Sequence, residues 1–541
     1  MKHSPNSIAK RVLGEIPLTA ELYWQLRQQG KPLNKSFSLQ RTHKNLPEWI
    51  EQAMEARASN KSPAGKKIFI FTTLRYWVEH SVLLGLALAG LGHEITLAFF
   101  PVNNWRARMN RFDLRRQNAY THSVLRPAEK LLHPLSLLDM KQSGSNGSSS
   151  QALPAPLYEA IREVCHRDVQ YTLQVEEVDT NSDLYRLRLE RNTRAALAAL
   201  SWMKEHHPDV VLTPNGSILE MGAIYQAARY LNIPVVTYEF GEQRERIWLA
   251  QNDEVMLQHT DELWEDWKAQ PLTEGQWEQI RALYASRQNA SLWENFSRRW
   301  QGLPSQGGDQ VCQSLGLDGR PLAVLAANVI GDSLTLGRQV FSRNMTEWLQ
   351  RTLRNFAQRP QTQLVVRIHP GERYTKGPSV ADVIQAVMPE LPENIHLVAA
   401  GDPINTYDLV EIADLGLVYT TTVGMEMAMS GVPTIVTGQT HYRGKGFTLD
   451  PQDWEGYFEL LNQALQNPQH TRLERSQVDL AWQYAYRFFF DYPLPFPWHM
   501  LYFYEELEAW SLAKALSPSG QLAFGEAFRS LAGEPRQWSA G

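Results

Sequence analysis

The sequence predicts an α/β protein built from two Rossmann-like units, on three observations. Short apolar runs alternate with amphipathic stretches in two separate tracts, about residues 66–240 and 321–437. A Pro/Gly/Ser-rich loop, Gly302 to Asp309, lies between them. The chain has 541 residues, 43% of them hydrophobic, which is too long for one ordinary core. Open α/β units bind ligands outside the carboxyl ends of their strands. Two such units facing each other form one interdomain cleft.

Residues 1–64 read as a polar helical extension that ends in the loop Asn60 to Gly65. The run KKIFIFTTL, Lys66 to Leu74, is the first strand. SVLLGLALAGLGHEITLAFF then gives a helix, a turn at Gly90 and Gly92, and a second strand. This β-α-β order implies parallel pairing with a right-handed crossover. Residues 105–190 interrupt the alternation with Arg-rich, helix-like sequence and a low-complexity tract, Ser143 to Ser150, read as a mobile loop. Alternation resumes with HPDVVLTPNG, a helix from about Ile218 to Leu231, and the strand IPVVTYEF, Ile233 to Phe240. Residues 257–310 read as Trp-rich helices. The domains expected are therefore 1–64, a helical extension; 65–310, a first α/β domain with a helical insertion at about 105–190; 311–480, a second α/β domain; and 481–541, an aromatic helical tail. The second domain opens with PLAVLAANV. It continues with a helix at about Phe341 to Gln358, the strand QLVVRIHP, a helix near Val380 to Met388, the strand NIHLVAA, and the run Leu415 to Tyr419.

Charge is nearly balanced, 53 basic against 58 acidic residues, and the net −5 gives no support to nucleic-acid binding. Two distant cysteines, Cys165 and Cys312, offer no metal-ligand spacing and fit a reducing compartment. The basic N-terminus lacks a continuous apolar core, so no signal peptide is expected. No apolar run reaches about 18 residues, so no membrane span is expected either. A cytoplasmic location follows from these readings. The Trp/Tyr/Phe-rich tail reads first as packing and second as a surface for a peripheral membrane or polysaccharide-assembly partner. There is no P-loop, HExxH or GxSxG, and no GxGxxG in a strand-to-helix setting.

Three motifs in the second domain suggest an anion site. RIHPGE, Arg367 to Glu372, ends an apolar strand. There His369 can donate to a phosphate oxygen and Arg367 can add charge, while Pro370 restricts the direction of the His; the ordinary alternative is a His that caps a turn. NTYDL, with Asn405 and Tyr407, precedes the turn TTTVG, Thr420, Thr421, Thr422 and Gly424, at a helix start. Helix-start N–H groups lack partners and favour negative charge. Ordinary N-capping by Thr421 or Thr422 is the alternative. Glu426 has Val423 three residues before it, so no capping box forms and the carboxylate is available for a ribose diol. In HYRGKGFT, Arg443 and Lys445 either face the ligand or form a solvated basic loop. In the first domain a general base is sought among Glu79 or His80, Glu220, and Glu239 or Glu242, each at a strand end or early in a helix. Glu near a helix start also simply complements the dipole.

Taken together, RIHPGE, NTYDL and VYTTTVGMEMAMSGVPTIVTGQTHYRGKGFT resemble the bacterial capsular polysaccharide biosynthesis proteins, which include transferases of the acidic keto-sugar Kdo. The likeness is specific over Arg367 to Asp450. Over residues 66–250 only the β-α pattern is shared, and residues 1–64 and 490–541 are not covered. The resemblance implies a GT-B fold with the nucleotide-sugar in the C-terminal domain, and contacts to its phosphate from His369, Pro370, Thr421 and Thr422. It implies glycosyl transfer from a CMP- or UDP-linked sugar to a surface polysaccharide or its lipid-linked precursor, with no metal and no cofactor beyond the nucleotide-sugar co-substrate. The base is expected from the N-terminal domain. A nucleotide-sugar epimerase and a non-catalytic assembly protein are the alternatives.

Overall fold

A computed structural model of the chain describes residues 5–60, 65–103, 106–140, 152–297, 299, 301–536 and 538. The tract Ser143 to Ser150 lies outside them. The chain divides into two compact units. The first holds residues 1–168, 179–255 and 494–536, and the second holds 169–178, 256–493 and 537–541.

In the first unit β1 (Lys67–Thr73), β2 (Glu94–Phe100), β3 (Leu135–Ser136), β4 (Val210–Pro214), β5 (Val235–Glu239), β6 (Arg246–Gln251) and β12 (Leu494–Pro495) make one sheet in the order β12-β6-β5-β4-β1-β2-β3. Strands β1 to β5 pair in parallel. β6 and β12 extend the edge in antiparallel fashion. A parallel sheet is covered on both faces, which is why β1 carries the unbroken apolar run Ile68 to Phe71 and is buried beyond Lys67. The following helix, Arg75–Gly90, is buried from Trp77 to its end. Such a helix needs cover on all sides. Leu46, Trp49 and Ala53 of the helix Gln40–Ser59, and Leu512, Ala515, Phe524 and Phe528 near the C-terminus, join it in one core.

Two boundaries differ from the sequence reading. Much of the aromatic tail is not a separate element, because Leu494–Arg536 completes the first unit through β12 and this core. The Trp-rich stretch after residue 256 belongs to the second unit, since Trp264 packs edge-on against Tyr484 and Tyr284 against Trp482.

The second unit contains β7 (Leu322–Ala326), β8 (Gln363–Arg367), β9 (Ile395–Val398), β10 (Leu415–Val418) and β11 (Thr434–Val436), all parallel, in the order β11-β10-β7-β8-β9. The helix Met345–Ala357 turns Met345, Trp348, Leu349, Leu353 and Phe356 onto this sheet's core. Trp348 is fully enclosed and lies 6.0 Å from the ring of Tyr419. No helix among the described residues is long and apolar enough to cross a membrane. Trp348→Ala should cost about 3–5 kcal/mol, because the cavity adds to the lost transfer energy. In urea titration this appears as a lower midpoint with an unchanged slope.

Candidate active site

Each sheet has one topological switch point, where the strand order reverses and polar side chains can emerge at the carboxyl ends. In the second unit the chain runs from β7 through β8 to β9 and returns on the other side to β10 and β11, so the switch lies between β7 and β10. Asn328, just past β7, bridges it, its Oδ1 accepting the N–H of Thr420 at 3.2 Å. This residue was not singled out from the sequence. His369 follows β8 on the other side of β7. Its Nδ1 accepts the Gly371 N–H at 3.0 Å, which makes Nε2 the donor of the neutral ring.

The neighbours of His369 mainly shape its loop. Arg367 is buried and donates to Ala399 O at 2.7 Å, and burial pulls its guanidinium down to about 10. Pro370 opens a short 3-10 turn, Pro370–Tyr374. Glu372 accepts the Val380 N–H at 3.2 Å, and burial pushes its carboxyl up to about 7. In the threonine turn neither expected side-chain cap forms, because Thr422 itself adopts a helical conformation at the start of the helix Val423–Met429. Thr420 Oγ1 is buried and makes no hydrogen bond to the described residues. The Thr421 carbonyl accepts from Tyr442 Oη at 2.6 Å, and Thr421 itself is nearly buried. A Cβ on Gly424 would meet that same hydroxyl and, at 2.7 Å, Val418 Cγ2, so only glycine lets the helix approach β10 so closely.

Five expected ligand groups have framework tasks instead. Asn405 caps its helix through Tyr407 N–H at 2.9 Å and donates to Gln288 O and Leu303 O at 2.8 and 2.9 Å, which occupies its amide. Tyr407 is buried and packs edge-on against Tyr284. Glu426, expected to meet a ribose, is buried and ion-paired with buried Arg287. Arg443 donates to Val436 O and Pro451 O and so staples its loop to β11. Lys445 is buried against Asp261. The basic loop is thus neither solvated nor turned to a ligand. Burial also holds His441 well below the usual histidine range, stacked on Phe488 with 3.7 Å between ring centres.

In the first unit the switch lies between β4 and β1. His80 is wholly enclosed. It shares a 3.0 Å hydrogen bond between Nε2 and Trp498 O, and burial depresses its pKa to about 3. An imidazole with no exposed surface cannot take a proton from an acceptor in this conformation, so His80 belongs to the core. Glu220 is equally buried, and its Oε1 is paired with Arg191 Nε at 2.6 Å. Glu79 is nearly buried and accepts from Tyr504 Oη at 3.1 Å.

Glu239 differs from these. It ends β5 at the carboxyl edge and is only partly buried. Its carboxylate accepts from Asn215 Nδ2 at 3.2 Å and from the Phe240 N–H at 3.1 Å, both neutral donors. Burial outweighs them and pushes the carboxyl up to about 7. Asn215 sits just past β4 in the left-handed region, φ 59°, which Asn tolerates. Its Oδ1 accepts from Ser217 Oγ and N, and this fixes the amide with its NH₂ toward Glu239. The motif TPNGS held that signal, but its partner on β5 was not identifiable from spacing.

No protein-family model and no curated protein sequence matches the chain. Among solved structures it is similar to KpsC, a β-Kdo 2,4-transferase of Thermosulfurimonas dismutans, at 16% identity over 51% of this chain and 79% of that one, TM-score 0.32. It is also similar to UDP-GlcNAc 2-epimerase of Neisseria meningitidis bound to UDP-GlcNAc, at 13% identity over 79% and 100% of the two chains, TM-score 0.25. The catalytic domain of starch synthase IV of Arabidopsis thaliana, bound to ADP and acarbose, matches at 10% identity over 60% and 78%, TM-score 0.27.

Glu426→Ala leaves Arg287 buried without its charge partner and should cost about 3–5 kcal/mol, whereas Arg287→Met with Glu426→Leu should recover most of that in chemical denaturation. Glu239 generates a separate expectation. Its folded pKa of about 7 lies above the ordinary 4.5, so the folded state holds the proton longer than the unfolded state. Stability from this group is therefore complete below pH 4.5 and is lost as pH rises to about 7, by at most ~1.4 kcal/mol for each pH step of one across that interval. Glu239→Gln should remove that slope, so the difference between variant and wild-type melting curves grows between pH 4.5 and 7 and is flat above.

Proposed function

We propose that the protein is a glycosyltransferase of GT-B type that moves a sugar from a nucleotide-sugar to a saccharide or glycolipid acceptor. The observation that carries this reading is Glu239, a partly exposed carboxylate at the carboxyl edge of the first sheet, tuned to about 7 and held by Asn215. A base with that pKa is half-ionised near neutrality, where general-base catalysis is most effective. The Glu239 carboxylate removes the proton of an acceptor hydroxyl. The acceptor oxygen bonds to the anomeric carbon, and the bond from that carbon to the phosphate oxygen breaks, with inversion.

In this reading the second unit holds the nucleotide's phosphate at its own switch point. On the same reading His369 and Thr421, at the strand ends beside that switch point, meet the phosphate, whereas Arg443 and Lys445 are committed elsewhere. Neutral donors aimed at developing charge stabilise a departing phosphate electrostatically. The resemblance over Arg367 to Asp450 supports a CMP- or UDP-linked donor and a surface-polysaccharide acceptor at the inner face of the cell membrane.

A melting screen against CMP, UDP, GDP and dTDP identifies the donor nucleotide, because a ligand bound only by the native state raises the melting temperature. With that donor, kcat/KM should rise with pH to a plateau with a midpoint of about 7. Glu239→Gln should lower turnover by about 10²–10⁴-fold with the nucleotide-induced melting shift intact. His369→Ala should weaken that shift and lower turnover while remaining folded. Wild-type transfer by Glu239→Gln would refute the base, and conversion of the donor with no acceptor present would indicate an epimerase.

A further inference from the structure

We infer that the first unit carries a subsite for an anionic saccharide in the cavity between the start of the helix Arg75–Gly90 and the segment Met500–Tyr504. This rests on the reading of that unit as the acceptor side. The cavity is about 210 Å³, room for about one sugar unit and smaller than a drug-sized pocket. Its wall is formed chiefly by Arg41, Arg75, Tyr76, Glu79, Leu501 and Tyr504.

Two guanidiniums meet there without carboxylate hydrogen bonds of their own. Arg41 lies over the Tyr504 ring at 3.8 Å, and Arg75 over the Tyr76 ring at 4.1 Å. Arg75 Nε is buried, makes no hydrogen bond to the described residues, and stands 3.8 Å from Glu79 Oε2. A guanidinium is a rigid fork of donors that matches a carboxylate or phosphate, so two of them held on aromatic faces are preset for an anion. Glu79 is the acidic member of the wall, so the two arginines leave a positive excess.

The remaining chemistry suits a sugar better than a bare anion. The Tyr504 hydroxyl donates to Glu79 Oε1 at 3.1 Å, which leaves Glu79 Oε2 as the acceptor for a sugar hydroxyl. Tyr76 and Leu501, 51% and 58% exposed, provide an apolar rim for the C–H face of a ring. The helix that carries Glu79 packs against the chain just past β5. His80, which follows Glu79, lies 4.9 Å from the ring of Phe240, which follows Glu239.

Calorimetric titration of the full chain with D-glucuronic acid, D-glucose 6-phosphate, D-glucose and inorganic phosphate tests this. The two anionic sugars should bind at least about tenfold more tightly than glucose or inorganic phosphate. The variant Arg41→Ala with Arg75→Gln, the first exposed and the second partly buried beside Glu79, should lose that preference, and Arg41→Ala alone should weaken it at a near-wild-type melting temperature. Equal binding of glucose, equal binding of inorganic phosphate, or a preference that survives in the double variant would overturn the subsite. Nucleotide binding in the same samples reports on the second unit. If no nucleotide binds while the anionic sugars do, the donor reading fails and the subsite stands. If nucleotide binds and the preference is absent, the subsite alone fails.

Discussion

A parallel sheet must be covered on both faces, and that requirement fixes where chemistry can emerge in each unit. With helices packed over the flat faces, polar side chains surface mainly at the carboxyl ends of the strands, where chain direction switches. In the second unit one side-chain bond, Asn328 to the N–H of Thr420, ties the two strands that flank the switch. In the first unit Asn215, beside the switch, links β4 to β5 on its far side by reaching Glu239. Both bridges use a side-chain amide, which supplies a donor and an acceptor without adding charge. The groups left at the edges are therefore set by neutral neighbours.

The charged groups away from those edges are framework. Glu426 with Arg287, Arg188 with Asp168, and Glu220 with Arg191 are buried pairs, each placing both charges on the same unit's interior elements. Such pairs add little net stability over apolar replacements, but removing one partner is costly. Arg443 and Lys445 follow the same logic. The loop after β11 folds inward, so its cations are spent on the carbonyls of Val436 and Pro451 and on Asp261. A loss of activity on mutating any of these residues would reflect folding first.

The periodic apolar runs made the strands β1, β2, β4, β5 and β7 to β11 readable, because a doubly covered parallel strand has to be apolar along its length. β6 and β12 were not readable. β12 has two residues, and its antiparallel pairing with β6 joins residues about 250 positions apart, beyond the reach of local pattern. The place of His369 past a strand end was legible, and its Nδ1 makes the turn cap that was the ordinary alternative. Glu426 was misread, because the absence of a capping box says only that the carboxylate is not used locally. Its partner, Arg287, comes from a helix far away in sequence. His80 was misread for a related reason. Its helix is apolar all round, and a lone His on such a helix is a core residue, covered here by segments from both chain ends.

Glu220 and Glu239 show how environment separates two carboxylates that sequence treats alike. Each follows an apolar strand at the same edge of one sheet. Glu220 sits inside the helix that leaves β4 and pairs with the Arg191 guanidinium at 2.6 Å. Glu239 stays on its strand and meets only an amide and a backbone N–H, and burial raises its pKa to about 7. A cation in place of Asn215 would pull that value down and turn a base poised near neutrality into a fixed carboxylate. The identity of residue 215 as Asn is thus as much a part of the candidate chemistry as Glu239. A left-handed turn at residue 215 suits it, since Asn accepts that backbone and carries the amide the carboxylate requires.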